Sequence, residues 1–515
     1  MILTTDARRG LFARVGVILS ALLLGCGLAY TLCYAQADGE DVVIGTYRMV
    51  PSRILGEDRR ILVHLPRDYE ESGRSYPVIF KLHGAPLGFF APISTGLDLL
   101  AESGRIPPAI LVGVEQHGHL EVKPRDAGGP PVDIRGEEFL RFLSEELLPF
   151  VDQNYRTKEL RILMGSYECG LFTIYTLVEA PELFPAYLAN SLHDLGPGAG
   201  AETVFDRALP RLMQGFEAPR FLYITEWRGE EGQADPLVDD FISQLNATQP
   251  KGLAWGATTL PHPSHDEWSP YKTFEFGMLA FFEGYECPPE VLAQGLAAVE
   301  AHYAALSSRI GVDFEIPERA FIELGGSLMR QRRWGRAVEV LEFFRSIYPR
   351  SLNAVFQLSR AYRGAGEVDQ AIRSYRASLE FENCPPFVGE EVRKLETSAA
   401  FALEKSMVAD GLDAALVGFT EKRSEGFHGQ EFRESECNEV GYRFLGKNLM
   451  AEAIAVFHVN VEMFPESANA YDSLGEAYAA TGDTTLAIES YRSSLNLNPE
   501  NTNAQEMLRR LGESE

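Results

Sequence analysis

A fixed period of 34 residues constrains the fold of the second half of this chain more than any other sequence feature. In each period an apolar residue and a glycine are followed by an aromatic residue, an alanine, a second aromatic residue and a proline. These positions are Leu474, Gly475, Tyr478, Ala487, Tyr491 and Pro499, preceded 34 residues earlier by Val440, Gly441, Phe444, Ala453, Phe457 and Pro465. Small residues let helices approach closely, and large residues fill the groove between helices. The period therefore predicts stacked helical hairpins.

Two related units lie upstream. They contain Leu324, Gly325, Leu328, Ala337, Leu341 and Pro349, then Leu358, Ser359, Tyr362, Ala371 and Tyr375. All four units resemble tetratricopeptide repeats, which implies an all-α solenoid with a concave face that binds a protein or peptide partner. We assign one repeat pair to residues 318–385 and another to 434–513. Residues 386–433 are helical in pattern but lack the repeat positions, so we expect a degenerate helical hairpin there.

The first half of the chain has a different pattern. Strand-like and helix-like segments alternate through residues 43–286, which is typical of a mostly parallel sheet with helices on both faces. The predicted strands are 59–66, 76–84, 109–116, 160–165, 186–191, 220–227 and 253–260. The predicted helices between them are 136–154, 169–180, 235–247 and 274–284. These elements are sufficient for one complete α/β domain, and residues 287–317 are expected to be a connecting linker or helix.

Residues 1–37 have the features of a targeting segment. Three arginines (Arg8, Arg9 and Arg14) precede an apolar run, 15–34, that is followed by small residues suited to cleavage before Asp38. A lipobox-like sequence ending at Cys26 and an uncleaved membrane anchor are alternatives. All three predict export to a bacterial-type periplasm or cell envelope, with membrane contact only through this segment.

The net charge of the chain argues against one class of partner. The sequence carries 74 acidic and 47 basic residues, a formal net charge of −27. No block rich in lysine and arginine is present, and binding to phosphate backbones requires such a positive surface. We therefore expect no nucleic acid partner.

The candidate functional site lies in the sequence LRILMGSYECG, residues 160–170. A short apolar run ends at Gly165, and apolar residues then recur at helical spacing from Leu171 onward. This change of period predicts a strand, a sharp turn and a helix. In α/β hydrolases such a turn carries the pattern Gly-x-Ser-x-Gly, with the nucleophilic serine at its tip. In the frame that starts at Gly165, the tip is Tyr167, and Cys169 stands at the second glycine position.

The domain resembles the putative-esterase family of α/β hydrolases, which contains the siderophore (enterochelin-type) esterases. The resemblance is densest over residues 136–191, and the family pattern at the turn is Gly-His-Ser-x-Gly-Gly. It implies an α/β hydrolase fold, a small carboxylic ester as substrate, siderophore-type esters included, and Tyr167 at the nucleophile position. A shifted frame would place Met164 and Glu168 beside Ser166, where small residues are needed, so Ser166 is only a fallback nucleophile.

The other members of a catalytic triad have candidates in the expected chain order of nucleophile, acid and histidine. Glu230 follows the predicted strand 220–227 and is our first choice of acid, with Glu231 and Glu226 as alternatives. His265 follows strand 253–260 and is the expected general base, with His262 as the alternative. The resemblance also implies an oxyanion hole made by the backbone amides of Ala85 and Glu168. We expect no cofactor and no metal, since the histidine pairs 117/119 and 262/265 lack a third ligand.

The sequence leaves two functions open. One is an exported esterase-like α/β hydrolase with a degenerate nucleophile turn. The other is a catalytically inactive pseudo-esterase that serves as a protein-binding scaffold through its repeats. In either case we expect the α/β domain and the repeats to bury separate cores.

Overall fold

The computed structural model describes residues 43–115, 134–192, 204–227, 236–260, 268–381 and 384–512. Its first part contains an eight-stranded sheet. The strands are β1 (Thr46–Val50), β2 (Arg59–His64), β3 (Tyr76–Leu82), β4 (Ile110–Val114), β5 (Thr157–Ser166), β6 (Ala186–Asn190), β7 (Arg220–Trp227) and β8 (Leu253–Leu260). The predicted mostly parallel sheet is therefore confirmed.

The strand order places the carboxyl ends of six strands at one edge. The order is β1-β2-β4-β3-β5-β6-β7-β8, in which β1, β2 and β4 pair antiparallel. All other neighbours are parallel, from the β4–β3 pair through to β8. Because carboxyl ends of parallel strands meet at the same edge, residues that follow β3 and β5 come close together.

Helices cover both faces of the sheet. They are α1 (Tyr69–Ser72), α2 (Leu87–Glu102), α3 (Ile134–Arg141), α4 (Leu148–Asn154), α5 (Glu168–Glu179), α6 (Val204–Gln214), α7 (Pro236–Thr248) and α8 (Trp268–Phe281). A π-helical segment, Phe142–Leu147, joins α3 to α4. Successive residues of each buried strand point to opposite faces of the sheet. They therefore contribute to two hydrophobic clusters, one on each face. Strand β1 and helices α1, α2 and α6 were not predicted. Four of the five β1 residues are exposed, so β1 lacks the alternation of a half-buried strand.

The second part of the chain is helical in the residues described, apart from one isolated β-bridge between Ser398 and Glu431. Its helices are α9 (Pro289–Leu292), α10 (Leu296–Ile310), α11 (Glu318–Arg330), α12 (Trp334–Ile347), α13 (Leu352–Ala365), α14 (Val368–Ser378), α15 (Phe387–Glu396), α16 (Ala399–Asp410), α17 (Leu412–Ser424), α18 (Glu434–Gly446), α19 (Met450–Met463), α20 (Ala468–Thr481), α21 (Thr484–Leu497) and α22 (Thr502–Arg510). The predicted repeats are the hairpins α11–α12, α13–α14, α18–α19 and α20–α21. Residues 386–433 contain three helices rather than the two of a single hairpin.

The repeat glycines show why the period recurs. A Cβ atom at Gly475 would lie 2.9 Å from the ring of Tyr491, and one at Gly441 would lie 2.5 Å from the ring of Phe457. The same contact joins Gly325 to Leu341 at 2.7 Å. In these three hairpins, therefore, a large side chain of the second helix packs directly on the bare backbone of the first.

The expectation of separate cores is wrong. One continuous hydrophobic cluster includes residues of the sheet, of α8 and of every repeat. At the junction, Phe282 packs edge-on against Phe314, with ring centroids 6.0 Å apart. The Tyr348 hydroxyl donates to the carbonyl of Ile316 at 2.8 Å. Sequence spacing did not reveal this shared core because it depends on contacts between segments that are distant in the chain.

The junction lies at the amino-terminal edge of the sheet. Arg319 donates to the carbonyl of Ser103 at 2.6 Å, close to the start of β4. Lys158, near the start of β5, pairs with Glu315 at 3.4 Å. The guanidinium of Arg74 lies 5.0 Å from the Tyr348 ring centroid, just before β3. The repeats thus attach to the edge opposite the one that carries the turn between β5 and α5 (the elbow).

The predicted targeting segment, residues 1–37, lies outside the described residues. Within the part of the chain that the structure describes, no helix is both long enough and apolar enough to cross a membrane.

The shared core predicts coupled unfolding. Tyr348→Ala removes a ring that is 5% exposed and packs between the repeats and Arg74. We expect a loss of about 3 kcal/mol or more in the free energy of unfolding, as for other large-to-small core changes. Calorimetry should show one transition that shifts as a whole, whereas Val417→Ala, at a 61% exposed position, should leave it unchanged. Two transitions, of which only one shifts, would contradict the shared core.

Candidate active site

A strained turn joins β5 to α5. Strand β5 ends at Ser166, α5 begins at Glu168, and Tyr167 between them has φ 57° and ψ −126°. A positive φ is unfavourable for a residue with a side chain and persists only where surrounding contacts enforce it. Here the Tyr167 amide donates to the carbonyl of Asn190 at 2.9 Å, and the Tyr167 carbonyl accepts from the Gly170 amide at 2.9 Å. The structure therefore places Tyr167, half-buried, at the tip of the turn.

Two glycines fix the register of this turn. A Cβ atom at Gly165 would lie 2.0 Å from the carbonyl oxygen of Cys169, a distance that no side chain can occupy. A Cβ atom at Gly170 would lie 2.7 Å from the carbonyl oxygen of Asn190. Strand β5, helix α5 and the neighbouring strand β6 therefore contact each other through backbone atoms, with no side chain between them. If the pattern were shifted along the sequence, a residue with a side chain would occupy one of these two contacts.

Cys169 differs from the glycine that the family pattern has at this position. The Cys169 side chain is 3% exposed and packs in the hydrophobic core beside the sheet. Burial raises the pKa of the thiol to about 12, although the charge of Lys81 opposes the shift. Since the thiolate is the nucleophilic form of cysteine, Cys169 is not a reactive nucleophile at neutral pH.

Ser166, the fallback nucleophile, lies beneath the turn rather than at its tip. It is the last residue of β5 and is 5% exposed. Its hydroxyl oxygen accepts a hydrogen bond from the ammonium nitrogen (Nζ) of Lys81 at 3.3 Å. A substrate that reaches the tip of the turn therefore meets Tyr167 before Ser166.

Lys81 was not singled out by the sequence analysis. It lies on β3 with 1% of its surface exposed, and Nζ also donates to the carbonyl of Leu82 at 2.8 Å. Burial lowers the pKa of Lys81 to about 8, while Cys169 acts in the opposite direction. A single lysine inside the apolar sequence YPVIFKL was the signal that could have identified it. Buried lysines are rare because an unpaired buried cation is costly.

The segment after β3 carries the first predicted oxyanion donor. His83 has a φ of 54°, and a Cβ atom at Gly84 would lie 2.5 Å from the carbonyl oxygen of Lys81. The chain therefore turns sharply before Ala85, which is 1% exposed and whose carbonyl accepts from Tyr47 at 3.2 Å. Ala85 follows β3 and Glu168 follows β5, so both predicted donors lie beyond the carboxyl ends of two adjacent strands. Their role as donors stays a prediction.

His83 adds an imidazole to this edge of the sheet. Its ring keeps an exposed side and packs edge-on against Phe89, with centroids 5.6 Å apart. Partial burial lowers the pKa of His83, the charge of Lys81 lowers it further, and Glu168 opposes both. The neutral imidazole is therefore favoured near pH 7.

Only one candidate for the predicted acid and base lies within the described residues. Glu230, Glu231, His262 and His265 lie outside the described residues, as do the histidines at 117 and 119. The alternative acid, Glu226, is described: it is 5% exposed, and one carboxylate oxygen accepts from the Leu192 amide at 2.6 Å. Among the residues described, no group of three or more His, Cys, Asp or Glu side chains is arranged to hold a metal ion.

A buried polar cluster around Asn190 supports the turn and was also missed. The side-chain oxygen of Asn190 accepts from Ser191 at 2.8 Å and from Ser269 at 3.0 Å. Its backbone carbonyl accepts from Tyr167. Asn190 thus connects the elbow to the start of α8. Such a cluster becomes visible only once β6 and α8 are known to be neighbours.

Comparison with known families agrees with this geometry. Residues 52–273 match the family model described as "Putative esterase". Residues 322–386 and 468–501 match models described as "Tetratricopeptide repeat". The resemblance noted in the sequence is confirmed. The chain combines an esterase-type α/β hydrolase fold with an all-α tetratricopeptide repeat solenoid.

Individual relatives are distant. "Uncharacterized protein YjcH" of Bacillus subtilis (strain 168) is 27% identical over 143 residues, which are 27% of this chain and 58% of that protein. The chain thus spans less than two thirds of the length of this curated relative.

Among solved structures, an IroE-like serine hydrolase from Shewanella oneidensis has 22% identity and a TM-score of 0.48, over 59% of this chain and 99% of that one. An uncharacterised protein from Capnocytophaga ochracea has 17% identity and a TM-score of 0.47, over 68% and 99%. The enterobactin esterase of Shigella flexneri has 15% identity and a TM-score of 0.36, over 48% and 62%.

The burial of Lys81 predicts a pH-dependent cost in stability. Its pKa is about 8 in the folded protein and 10.5 ordinarily, so below pH 8 the folded state carries an unfavourable buried charge. This penalty is constant below pH 8 and disappears as the pH rises from 8 to 10.5. Lys81→Met should therefore raise the free energy of unfolding at pH 7 by about 3 kcal/mol, since one pKa unit equals about 1.4 kcal/mol.

Denaturant unfolding at pH 7 and at pH 10 measures this effect. The gain from Lys81→Met should be largest at pH 7 and should shrink at pH 10. Lys251→Met, at an exposed position, is the matched control and should give no comparable gain at either pH. A Lys81→Met protein that is less stable than the wild type at pH 7 would show that the amine is favourably bound.

Proposed function

We propose that the esterase-type domain binds carboxylic esters at its elbow without hydrolysing them at the rate of a serine esterase. One observation carries this proposal: Tyr167 occupies the strained tip of the turn, and the glycine contacts of Gly165 and Gly170 leave no room for another frame. The tip is where this fold presents its nucleophile.

Tyrosine is poorly suited to the role of that nucleophile. A phenol has an ordinary pKa of about 10 and attacks esters weakly compared with a serine activated by histidine. Its ring is also larger than a serine hydroxymethyl group, so at the tip it would compete for the space in which a tetrahedral intermediate must form. These two properties favour binding over turnover.

The neighbouring residues do not replace the missing serine. Ser166 is buried beneath the turn and hydrogen-bonded to Lys81, and Cys169 holds a protonated thiol in the core. Neither side chain faces a substrate at the tip. Glu230 and His265 remain our candidates for the acid and the base, and without a nucleophile at the tip they have no alkoxide to generate.

The preference for an ester ligand rests on the predicted oxyanion hole. We expect the Ala85 amide and the Glu168 amide, at the start of α5, to bind a carbonyl oxygen, with the helix amino terminus adding partial positive charge. The family resemblance suggests siderophore-type esters within this class. We infer that carbonyl recognition has been kept although the nucleophile has changed.

The repeat array supports a second activity, the binding of a protein or peptide partner. It attaches to the sheet edge opposite the elbow, through contacts such as Arg319 with Ser103. The array is therefore attached away from the elbow. We propose a scaffold in which the elbow binds a small ligand and the concave face of the solenoid binds a protein.

Hydrolysis assays test the first proposal. The full chain should show little or no turnover of short-chain aryl esters or of a trilactone siderophore. Tyr167→Ser should raise turnover, and adding Cys169→Gly should raise it further by restoring the family pattern. The gain should be lost on adding His265→Ala. Because an oxyanion hole alone accelerates acyl transfer by about 10²–10³, a weak wild-type signal is compatible with the proposal.

Ser166→Ala and Tyr167→Phe are the informative controls. Both should leave the low wild-type activity unchanged, since neither hydroxyl is proposed to attack the ester. Rapid wild-type turnover that survives Tyr167→Phe and is lost in Ser166→Ala would refute the proposal and identify Ser166 as the nucleophile.

We also propose that the chain is exported, on the basis of the arginines and the apolar run in residues 1–37. Cell fractionation of the native host should place the protein outside the cytoplasm. Sequencing of its amino terminus should find Asp38, a lipid-modified Cys26 or a retained anchor. An intact chain in the soluble cytoplasmic fraction is the result that would refute export.

A further inference from the structure

A cleft lies at the junction between the sheet and the solenoid, at the amino-terminal edge of the sheet. Its sheet side is formed by the start of β3, the start of β5 and the residues before β4, and its other side by residues 312–315 between α10 and α11. Its apolar lining includes Pro77, Pro107, Pro108 and Phe314. The volume is about 500 Å³ with the open mouth included, so the cleft fits a small molecule rather than a folded partner.

One tyrosine of this cleft is held rigidly. Tyr285 follows α8, lines the cleft and is only 6% exposed. Its ring packs edge-on against Phe282, Tyr303 and Phe314, with ring centroids 6.0 Å, 6.2 Å and 6.0 Å away. Because three other rings pack on it, the Tyr285 ring cannot turn away, and the direction of its hydroxyl is fixed.

The Tyr285 hydroxyl differs from those of three other tyrosines of the junction. The Tyr303 and Tyr348 hydroxyls each donate to a backbone carbonyl, at 2.7 Å and 2.8 Å. The Tyr76 hydroxyl donates to Asp68 at 2.9 Å. The Tyr285 hydroxyl makes no hydrogen bond to any described residue. Since a buried hydroxyl without a partner is unfavourable, it points to an acceptor that a ligand supplies.

Two cations near this hydroxyl offer further donors. Burial raises the pKa of Tyr285, Arg74 opposes the shift and Glu315 adds to it, so the hydroxyl is protonated at neutral pH and able to donate. Among the described residues, the Arg74 guanidinium donates only to Asp68. Within the same set, the Lys158 ammonium donates only to Glu315, at 3.4 Å. Both cations therefore keep N–H groups for a ligand.

The acidic residues of the cleft balance these cations. Asp313 and Glu315 line the cleft, and within the part of the chain that the structure describes Asp313 has no ion-pair partner. Two carboxylates and two cations thus line one small space, and their formal charges cancel. A ligand with a single charge leaves the groups of one sign unmatched, whereas a zwitterion complements both.

We propose that the cleft binds a free α-amino acid with an aromatic side chain. Its carboxylate accepts from the Tyr285 hydroxyl and from Arg74, and its ammonium group pairs with Asp313. Its ring packs against the prolines and Phe314. A residue within a peptide or at a peptide end lacks at least one of these charges, so a free amino acid fits the lining best. This site lies at the sheet edge opposite the elbow and is separate from the proposed ester site.

Isothermal titration calorimetry of the full chain in a mild detergent, with L-phenylalanine as the probe, tests this site. The wild type should bind one molecule per chain. N-acetyl-L-phenylalanine and L-phenylalaninamide each lack one charge and are the matched ligands. Each should bind about 10-fold more weakly or worse, since hydrogen bonds to charged groups contribute at least that much.

Tyr285→Phe removes only the hydroxyl and should weaken the binding of L-phenylalanine about 10-fold. Because this hydroxyl makes no hydrogen bond to a described residue, the thermal midpoint of the free protein should not fall. Tyr187→Phe, at a buried tyrosine of β6 outside the cleft, is the matched control and should keep the wild-type affinity. Asp313→Asn, at an exposed position, should weaken binding as well.

Competition separates this site from the elbow. A short-chain aryl ester, the proposed ligand of the elbow, should not displace L-phenylalanine. Circular dichroism establishes that each variant is folded, and Asp313→Asn carries the test if Tyr285→Phe is not. A wild type that does not bind L-phenylalanine, an analogue that binds equally well, displacement by the ester, or wild-type affinity in folded Tyr285→Phe or Asp313→Asn would each overturn the proposal. A lowered thermal midpoint of Tyr285→Phe would also overturn it, because the hydroxyl would then already have a partner.

Discussion

Aromatic packing at the end of α8 joins the two parts of the chain. Phe281 packs on Phe221 of β7 with ring centroids 5.2 Å apart, and its neighbour Phe282 packs on Phe314, which precedes the first repeat. Burying rings of this size contributes strongly to stability, so separating the repeats from the sheet would expose a large apolar area. The position of every repeat relative to the elbow depends on this contact.

The elbow combines a tightly constrained backbone with a tyrosine at the position where the pattern Gly-x-Ser-x-Gly has serine. Gly165 and Gly170 keep the backbone contacts that hold the strained turn, yet the residue held there is tyrosine. Beneath it, Lys81 introduces a buried amine whose low pKa reflects an unfavourable environment. A residue that costs stability at such a place is typical of a functional site rather than of a structural one.

The sequence predicted the features that depend on the spacing of residues close together in the chain. The repeat hairpins follow from contacts such as Gly475 with Tyr491, which recur at a fixed separation, and the elbow follows from the change of period after Gly165. It did not predict the shared core or the Asn190 cluster, because these depend on which distant segments become neighbours. Lys81 was missed because the apolar residues around it were interpreted only as a strand.

The junction at the amino-terminal edge has a consequence for how two bound molecules would meet. Flexible tethers give a broad distribution of separations, and the effective concentration of one site at the other then depends on tether length. Here the α/β domain and the solenoid are packed together through residues such as Tyr348. The distance between a molecule bound at the elbow and one bound on the solenoid would therefore be set by this packing. For two molecules bound in this way, their size rather than a tether length would determine whether they can touch.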